Sequence, residues 1–273
     1  MDCYPAMEQS TKRTTLITGA SGGIGYALAR ICAIRQEDLA LVARSGDQLN
    51  CMKKEFEEKF GINVHMLSSD LSQPGQARTV YDWCDREGIK VDHLINNAGF
   101  GDYHPVAGAD PDLYAQMLHL NVISLTELYT LFVKPMTTRG YGRILNIGST
   151  AGYQPVPRLA VYAASKSYVV SFTEALHAEL KGTGVSATLL SPGPTETGFR
   201  KRAAMTEAKL GKNGEADVDA VARAGYKAMM KGRLYVIPGW KNKLLAFSTR
   251  LMPSRRAILA ISDQISRPSK SNK

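Results

Sequence analysis

Short apolar stretches alternate along the chain with longer stretches in which apolar positions recur every three or four residues. The short stretches are rich in β-branched residues and are apolar at consecutive positions, which is typical of strands buried on both faces of a parallel sheet. They predict strands at residues 14–18, 39–43, 64–67, 91–95, 143–147, 185–190 and 234–237.

The longer stretches predict the helices that connect these strands, at residues 23–34, 48–60, 76–87, 111–138, 161–181 and 218–231. Parallel strands need such crossover connections, and the helices then cover both faces of the sheet. We therefore expect an α/β fold, a doubly wound parallel sheet of about seven strands with helices on both faces.

The regular alternation fades after residue 239, which sets the expected domain limits. We expect an N-terminal extension at 1–13, one α/β domain at 14–239, and a basic amphipathic extension at 240–273 that is frayed from Ser266 onward. Segment 195–215 has the length and polarity of a movable substrate lid, although a solvated helix is an alternative interpretation. Its basic residues are Arg200, Lys201, Arg202, Lys209 and Lys212.

Charge is distributed unevenly over the 273 residues, whose net charge is +9. Residues 200–273 contain 17 Lys and Arg but only 5 Asp and Glu, whereas residues 1–199 contain 17 and 20. Such a basic segment either attracts an anionic partner or forms a solvated face.

No apolar run is long enough for a transmembrane helix, and residues 1–12 do not have the composition of a secretory signal, so we expect a cytoplasmic protein. The cysteine and histidine spacings predict no metal site.

A glycine-rich segment at residues 18–25, Thr-Gly-Ala-Ser-Gly-Gly-Ile-Gly, follows the first predicted strand and opens the first predicted helix. Glycines in this position allow a tight turn, a close approach of a pyrophosphate to the backbone, and close packing of the helix on the sheet. The N–H groups at the helix N-terminus then bind the anion. The segment predicts a dinucleotide site formed by Gly19, Ser21, Gly22, Gly23, Ile24 and Gly25.

The residues after the second strand indicate which dinucleotide binds. An acidic side chain there receives the ribose 2′-hydroxyl of NAD, whereas a basic one accommodates the 2′-phosphate of NADP. Arg44 and Ser45 follow the strand, and the guanidinium of Arg44 suits a phosphate. We therefore expect NADP(H), with NAD(H) as the less favoured cofactor.

Tyr162 and Lys166 are four residues apart and share one face of a predicted helix. A phenol with a pKa of about 10 is a poor base at neutral pH, and a nearby cation favours its ionised form. Tyr162 could then exchange a proton with a carbonyl or alcohol oxygen. Ser149 follows a strand at the carboxyl edge of the sheet, where its hydroxyl could bind the same oxygen.

In their order and spacing, these motifs resemble the short-chain dehydrogenase/reductase family, in particular its compact single-domain, NADP-preferring branch. The resemblance runs from about Thr14 to Phe199. It includes residues 96–99 (Asn-Asn-Ala-Gly) after the fourth strand, Asn121 between Leu and Val, and Pro192-Gly193 followed by Thr197. It implies a Rossmann-type fold.

The resemblance also implies individual roles. Tyr162 would be the acid/base, and Lys166 would bind the nicotinamide ribose. Ser149 would orient the substrate, and Asn121 would hold a water that links Lys166 to a proton relay. The implied dinucleotide contacts are Asp70 and Leu71 near the adenine, Asn97, Ala98 and Gly99 near its ribose, and Pro192, Gly193, Thr195 and Thr197 near the nicotinamide carboxamide. The family more commonly has an aliphatic residue at the position of Thr195.

These observations predict an NADPH-dependent oxidoreductase that interconverts a ketone, aldehyde or 3-oxoacyl group and its alcohol by hydride transfer. The alternative is a non-catalytic NADP(H)-binding regulatory or scaffold protein with the same fold. We expect a small-molecule substrate, either apolar or an acyl thioester, and no nucleic-acid partner. Segment 240–273 could cap an apolar pocket, form a subunit contact or rest on a membrane surface. The resemblance suggests a homodimer or homotetramer joined by helices 111–138 and 161–181.

Overall fold

Within residues 12–205, 214–251 and 254–268, which the structure describes, seven strands form one parallel sheet. The strands are β1 (Thr14–Thr18), β2 (Asp38–Ala43), β3 (Val64–Ser68), β4 (Val91–Asn96), β5 (Gly142–Ile147), β6 (Val185–Leu190) and β7 (Tyr235–Val236). Their order across the sheet is β3-β2-β1-β4-β5-β6-β7. The order in which successive strands are added to the sheet reverses between β1 and β4. In open α/β sheets, ligands bind at the carboxyl ends of the strands at such a reversal. The predicted doubly wound sheet is confirmed.

This structure is a computed structural model. Several sequence predictions fall on residues outside its described ranges. These are most of the N-terminal extension (residues 1–11), part of the predicted lid (residues 206–213, with Lys209 and Lys212), and the end of the C-terminal extension (residues 269–273).

Helices cover both faces of the sheet and enclose two apolar cores. On one face, Leu28 and Phe56 pack with Leu41 of the sheet; on the other, Leu94 packs with Met136. Complete burial of such a side chain contributes about 1.5–3 kcal/mol. The helices are α1 (Gly23–Ile34), α2 (Gly46–Phe60), α3 (Gln76–Arg86), α4 (Pro111–Leu118), α5 (Leu125–Thr138), α6 (Ala160–Glu179), α7 (Phe199–Arg202), α8 (Val218–Met230), α9 (Trp240–Leu251) and α10 (Arg255–Ser266).

The prediction of one continuous helix at 111–138 is wrong in one respect. A π-helical segment, His119–Ser124, separates α4 from α5. An apolar periodicity does not distinguish the i→i+5 hydrogen bonds of a π-turn from the i→i+4 bonds of an α-helix, and single π-turns occur frequently at functional sites. This one contains the buried Asn121.

The C-terminal extension folds back onto the domain as α9 and α10. Arg158 pairs with Asp263 at 3.0 Å, and the Ser262 hydroxyl donates to the carbonyl of Pro155 at 2.6 Å. Ser266, which the sequence prediction assigned to a frayed end, is buried, and its carbonyl accepts a hydrogen bond from the hydroxyl of Tyr103. The prediction that the chain is frayed at Ser266 is therefore wrong, because tertiary contacts hold this residue. None of the described helices has the length and apolar character needed to cross a bilayer.

Candidate active site

A cavity of about 750 Å³ opens at the carboxyl edge of the sheet, where β1, β4 and β5 end. Most of the residues predicted to bind the dinucleotide or to react line it: Gly19, Ser21, Gly22, Gly23, Ile24, Arg44, Ser45, Asp70, Leu71, Asn97, Ala98, Gly99, Ser149, Tyr162, Lys166, Pro192, Gly193, Thr195 and Thr197. Gly25 and Asn121 are not part of its lining.

The glycine turn brings the N-terminus of α1 to this cavity. Gly19 adopts a φ of 63°, a left-handed conformation that glycine enters readily. A β-carbon at Gly25 would lie 2.3 Å from the carbonyl oxygen of Gly19, so the helix can approach the turn only because this residue is glycine. Gly22 is the N-cap and supplies no capping side chain. The first N–H groups of α1 are therefore oriented to bind an anion.

Asn97 holds the glycine turn through the Nδ2 of its side-chain amide. Its Nδ2 donates to the carbonyls of Thr18 at 2.9 Å and Gly19 at 3.0 Å. The backbone N–H groups of Asn97 and Ala98 both donate to the Thr18 hydroxyl at 3.0 Å. The loop after β4 and the loop after β1 are thus locked together, which fixes the floor of the cavity.

Arg44 lies at the end of β2, is exposed, and lines the cavity. Ser45 next to it is the N-cap of α2. After the neighbouring strand β3, Asp70 accepts with one carboxylate oxygen from the backbone N–H and the hydroxyl of Ser72, at 3.1 and 2.8 Å. The basic group at this end therefore belongs to Arg44, while the charge of Asp70 is partly satisfied within its own turn.

Tyr162 is at the first turn of α6, and its ring is held against Phe199, with 5.3 Å between ring centroids. Burial raises the pKa of Tyr162 to about 12, while a hydrogen bond with Ser149 acts in the opposite direction. The sequence argument anticipated a pKa lowered by Lys166, and this is wrong, because desolvation outweighs every favourable contact of the phenolate. At neutral pH the phenol therefore keeps its proton.

Lys166 lies one turn further along α6 and is buried. Its ammonium nitrogen donates to the carbonyl oxygen of Ile147 at 2.8 Å and lies 5.8 Å from the centroid of the Tyr162 ring. Burial lowers the pKa of Lys166 to about 8, since removal from water disfavours the charged form. The amine consequently titrates close to physiological pH.

Asn121 lies behind Lys166, in the π-helical segment. Its Oδ1 accepts from the N–H of Phe100 at 3.2 Å, and its Nδ2 donates to the carbonyl of Phe100 at 2.9 Å and to Ser165 at 3.1 Å. A β-carbon at Gly99 would lie 3.0 Å from Asn121 Oδ1 and 3.5 Å from Lys166 Nζ. Asn121 therefore joins the loop after β4 to α6 at the back of the site.

The loop after β6 closes the opposite side. The carbonyl of Pro192 accepts from Thr150 at 2.9 Å, and the Thr195 hydroxyl donates to the carbonyl of Gly193 at 2.9 Å. Thr195 also pairs with Ala216 across the two ends of the predicted lid. The hydroxyl of Thr195 is thus used to shape its own loop.

Several cavity residues belong to no motif, although some lie in segments 195–215 and 240–273, for which a substrate lid and the capping of an apolar pocket were among the expected roles. Asn242 of α9 packs on the loop after β6, so closely that a β-carbon at Gly193 would lie 2.5 Å from its amide. Apolar side chains form the wall beside Tyr162, and they come from five separate segments: Phe100, Val156, Leu159, Phe199, Met205, Leu245 and Ile265. Only the folded chain brings these positions together, so no local motif signals them.

A family model described as short chain dehydrogenase matches residues 13–208. The chain belongs to the short-chain dehydrogenase family. One relative in this family, the very-long-chain 3-oxoacyl-CoA reductase of Anas platyrhynchos, is 34% identical over 183 residues. The match covers 65% of this chain but only 58% of that reductase, less than two thirds of its length.

Two further short-chain dehydrogenases match more of the chain. The 11-beta-hydroxysteroid dehydrogenase of Pinus massoniana is 30% identical over 250 residues, which cover 86% of this chain and 69% of that protein. The solved short-chain dehydrogenase from Sphingobium yanoikuyae in complex with NADPH is 28% identical. It superposes with a TM-score of 0.80 over 95% of this chain and 100% of that chain.

Proposed function

We propose that this short-chain dehydrogenase is an NADPH-dependent oxidoreductase that interconverts a ketone, aldehyde or 3-oxoacyl group and its alcohol. The observation that carries the proposal is that Tyr162, Ser149 and Lys166 share one cavity with the glycine turn. This supports Tyr162 as a proton donor beside the place where the dinucleotide would bind. Family relatives that reduce 3-oxoacyl-CoA or act on hydroxysteroids support the same reaction class.

The residues present fit a nicotinamide dinucleotide. The N-terminus of α1, which has no side-chain cap, and the space beside Gly22 suit a pyrophosphate. Apart from its chain neighbours, no residue that the structure describes has an atom within 4 Å of a β-carbon built at Gly22. Arg44 would bind the 2′-phosphate of NADP, and the loop from Pro192 to Thr197 would lie beside the nicotinamide. When bound, the cofactor supplies the hydride.

Tyr162 is the proton donor in the reductive direction. Its pKa of about 12 keeps the phenol protonated at neutral pH, and it can give this proton to the substrate oxygen as negative charge develops there. Ser149, half-buried at the end of β5, supplies a second hydroxyl to the same oxygen. Lys166, with a pKa of about 8, is mostly charged at pH 7 and stabilises the phenolate that remains.

The cavity wall beside Tyr162 favours an apolar substituent on the carbonyl carbon. Val156, Leu159 and Met205 are buried there and form one cluster with Tyr162. A bulky apolar group on the carbonyl compound, such as an acyl chain or a fused ring, would cover the partly exposed wall residues Phe100, Phe199 and Leu245. Removing their apolar surface from water stabilises the complex by about 25 cal/mol per Å².

Oxidation of NADPH with a panel of bulky ketones, aldehydes and 3-oxoacyl thioesters tests the proposal. We expect turnover of apolar carbonyl compounds by the wild-type protein and turnover about 10²–10⁴ times slower by Tyr162→Phe. NADPH binding without turnover of any member of the panel would instead favour a non-catalytic binding protein.

We also propose that two copies associate through α5 and α6. Ile123, at the start of this surface, and Tyr168 on α6 are large side chains that are exposed in the single chain. Light scattering after size exclusion measures the assembly, and Tyr168→Glu should shift a dimer to a monomer. We propose a cytoplasmic location, which includes the cytoplasmic surface of membranes, and imaging of the tagged protein in cells tests it.

A further inference from the structure

The outer face of α9 carries large apolar side chains that the described part of the chain leaves uncovered. Trp240 is 71% exposed, Leu244 62% and Phe247 46%. With 3.6 residues per turn, these three positions lie along one side of the helix. Isolated exposed apolar residues are common, but a stripe of this length on one helix indicates an interaction surface.

Lysines border this stripe on both sides. Lys241 and Lys243 are exposed and flank the line from Trp240 to Phe247, and Lys241 Nζ lies 5.8 Å from the centroid of the Trp240 ring. Residues 240–268 contain six Lys and Arg and a single acidic residue, Asp263. An apolar stripe bordered by basic side chains is the pattern of a helix that lies in the plane of an anionic membrane surface.

The inner face of the same helix belongs to the active-site cavity. Asn242 and Leu245 line the cavity, and Ala246 is buried. Ile265 of α10 also lines the cavity and is 41% exposed. The apolar stripe and the cavity are thus separated by one helix, whose diameter is about 10–12 Å.

Other occupants of this face fit less well. A second copy would bring two strongly basic surfaces together, and like charges across an interface oppose association. A nucleic acid would place its phosphates against basic side chains at the centre of the contact. Here the centre is apolar, and the charges lie at its edges.

We propose that α9 docks this protein on an anionic lipid bilayer, with Trp240, Leu244 and Phe247 inserted at the boundary between headgroups and acyl chains. Lys241 and Lys243 then lie at the level of the lipid phosphates, and their apolar stems cover the edge of the stripe. The docked orientation holds the substrate cavity next to the bilayer, where apolar carbonyl compounds concentrate.

Co-sedimentation of the full chain with phosphatidylcholine vesicles, with and without phosphatidylserine, tests this inference. We expect binding to the phosphatidylserine vesicles that weakens at high salt, because the attraction to lysines is screened. Leu244→Glu should reduce the affinity about tenfold or more, since it places a carboxylate in the apolar boundary of an anionic surface.

Ile34→Glu is the matched control. Ile34 is 55% exposed, at the end of α1 that lies away from the cavity, and the substitution changes the net charge by the same amount. We expect it to retain binding within about twofold, because the surface potential acts only within a Debye length. Lys243→Gln, which leaves the apolar stripe intact, should weaken binding to phosphatidylserine vesicles and provides a second measurement if Leu244→Glu folds poorly.

Absence of wild-type binding to phosphatidylserine vesicles would overturn the inference, as would equal binding by the Leu244→Glu and Ile34→Glu variants. If light scattering shows that Leu244→Glu dissociates a dimer while vesicles bind nothing, the stripe is a contact between two copies instead. Sedimentation requires no turnover, so each of these results is independent of the proposed reaction. Unchanged NADPH binding by the variants verifies that they are folded.

Discussion

Replacing Tyr162 by Phe separates the catalytic role of this residue from its packing role. The ring stays in place against Phe199, so only the hydroxyl and its hydrogen bond with Ser149 are lost. One neutral hydrogen bond contributes about 0.5–1.5 kcal/mol to stability. Loss of the proton donor should lower kcat by about 10²–10⁴. That factor corresponds to about 3–5 kcal/mol of activation free energy, well above the stability change.

Steady-state oxidation of NADPH measures the kinetic effect, and denaturant unfolding measures the stability. Tyr153→Phe is the matched control, because Tyr153 also hydrogen-bonds a serine, Ser191 at 3.2 Å, but is not part of the cavity lining. We expect both variants to lose similar stability and only Tyr162→Phe to lose turnover. Comparable kcat values for Tyr162→Phe and the wild-type protein would refute the assignment of the proton donor.

Three further predictions concern the cofactor. Arg44→Glu should weaken NADPH binding about 10–100-fold, because a charge-assisted contact to the 2′-phosphate is lost, and should retain or improve NADH binding, because a carboxylate can accept from the ribose 2′-hydroxyl. Fluorescence titration measures both, and equal losses for the two cofactors would argue against a phosphate contact. The value of kcat/KM for NADPH should fall as the pH rises through about 8, where Lys166 loses its charge. A profile that stays flat from pH 7 to about 9 would contradict this assignment. Gly25→Ala should abolish NADPH binding and lower the Tm, since its β-carbon would lie 2.3 Å from the Gly19 carbonyl. Gly108→Ala, with open space at its β-carbon, should do neither.

Local sequence patterns are enough to predict those features of the fold and the site that depend on neighbouring residues. Strand-length apolar runs place all seven strands, and the glycine segment places the turn at the N-terminus of α1, because both depend on neighbouring residues. The spacing of Tyr162 and Lys166 places both on one face of α6 for the same reason. These features follow from backbone periodicity, and tertiary contacts do not change them.

Features that depend on the folded environment are missed or reversed. The direction of the pKa shift of Tyr162 depends on burial, which the spacing of Tyr162 and Lys166 does not show. Asn97 uses its amide to hold the glycine turn, a contact between segments almost 80 residues apart. The sequence left the role of segment 240–273 open among three, one of them the capping of an apolar pocket; only the fold shows that Asn242, Leu245 and Ile265 line the cavity. The π-turn at Asn121 changes hydrogen-bond register without changing the apolar pattern.

The central claim is that a hydride passes from NADPH to a carbonyl carbon while Tyr162 protonates the oxygen. Reduction of an accepted carbonyl compound with NADPH that carries deuterium on the transferred face of nicotinamide C4 tests it most directly, with mass spectrometry of the alcohol. We predict one deuterium on the carbinol carbon with the wild-type protein, and labelled alcohol formed about 10²–10⁴ times more slowly with Tyr162→Phe. An alcohol without deuterium, or labelled product at the full rate from Tyr162→Phe, would contradict the account.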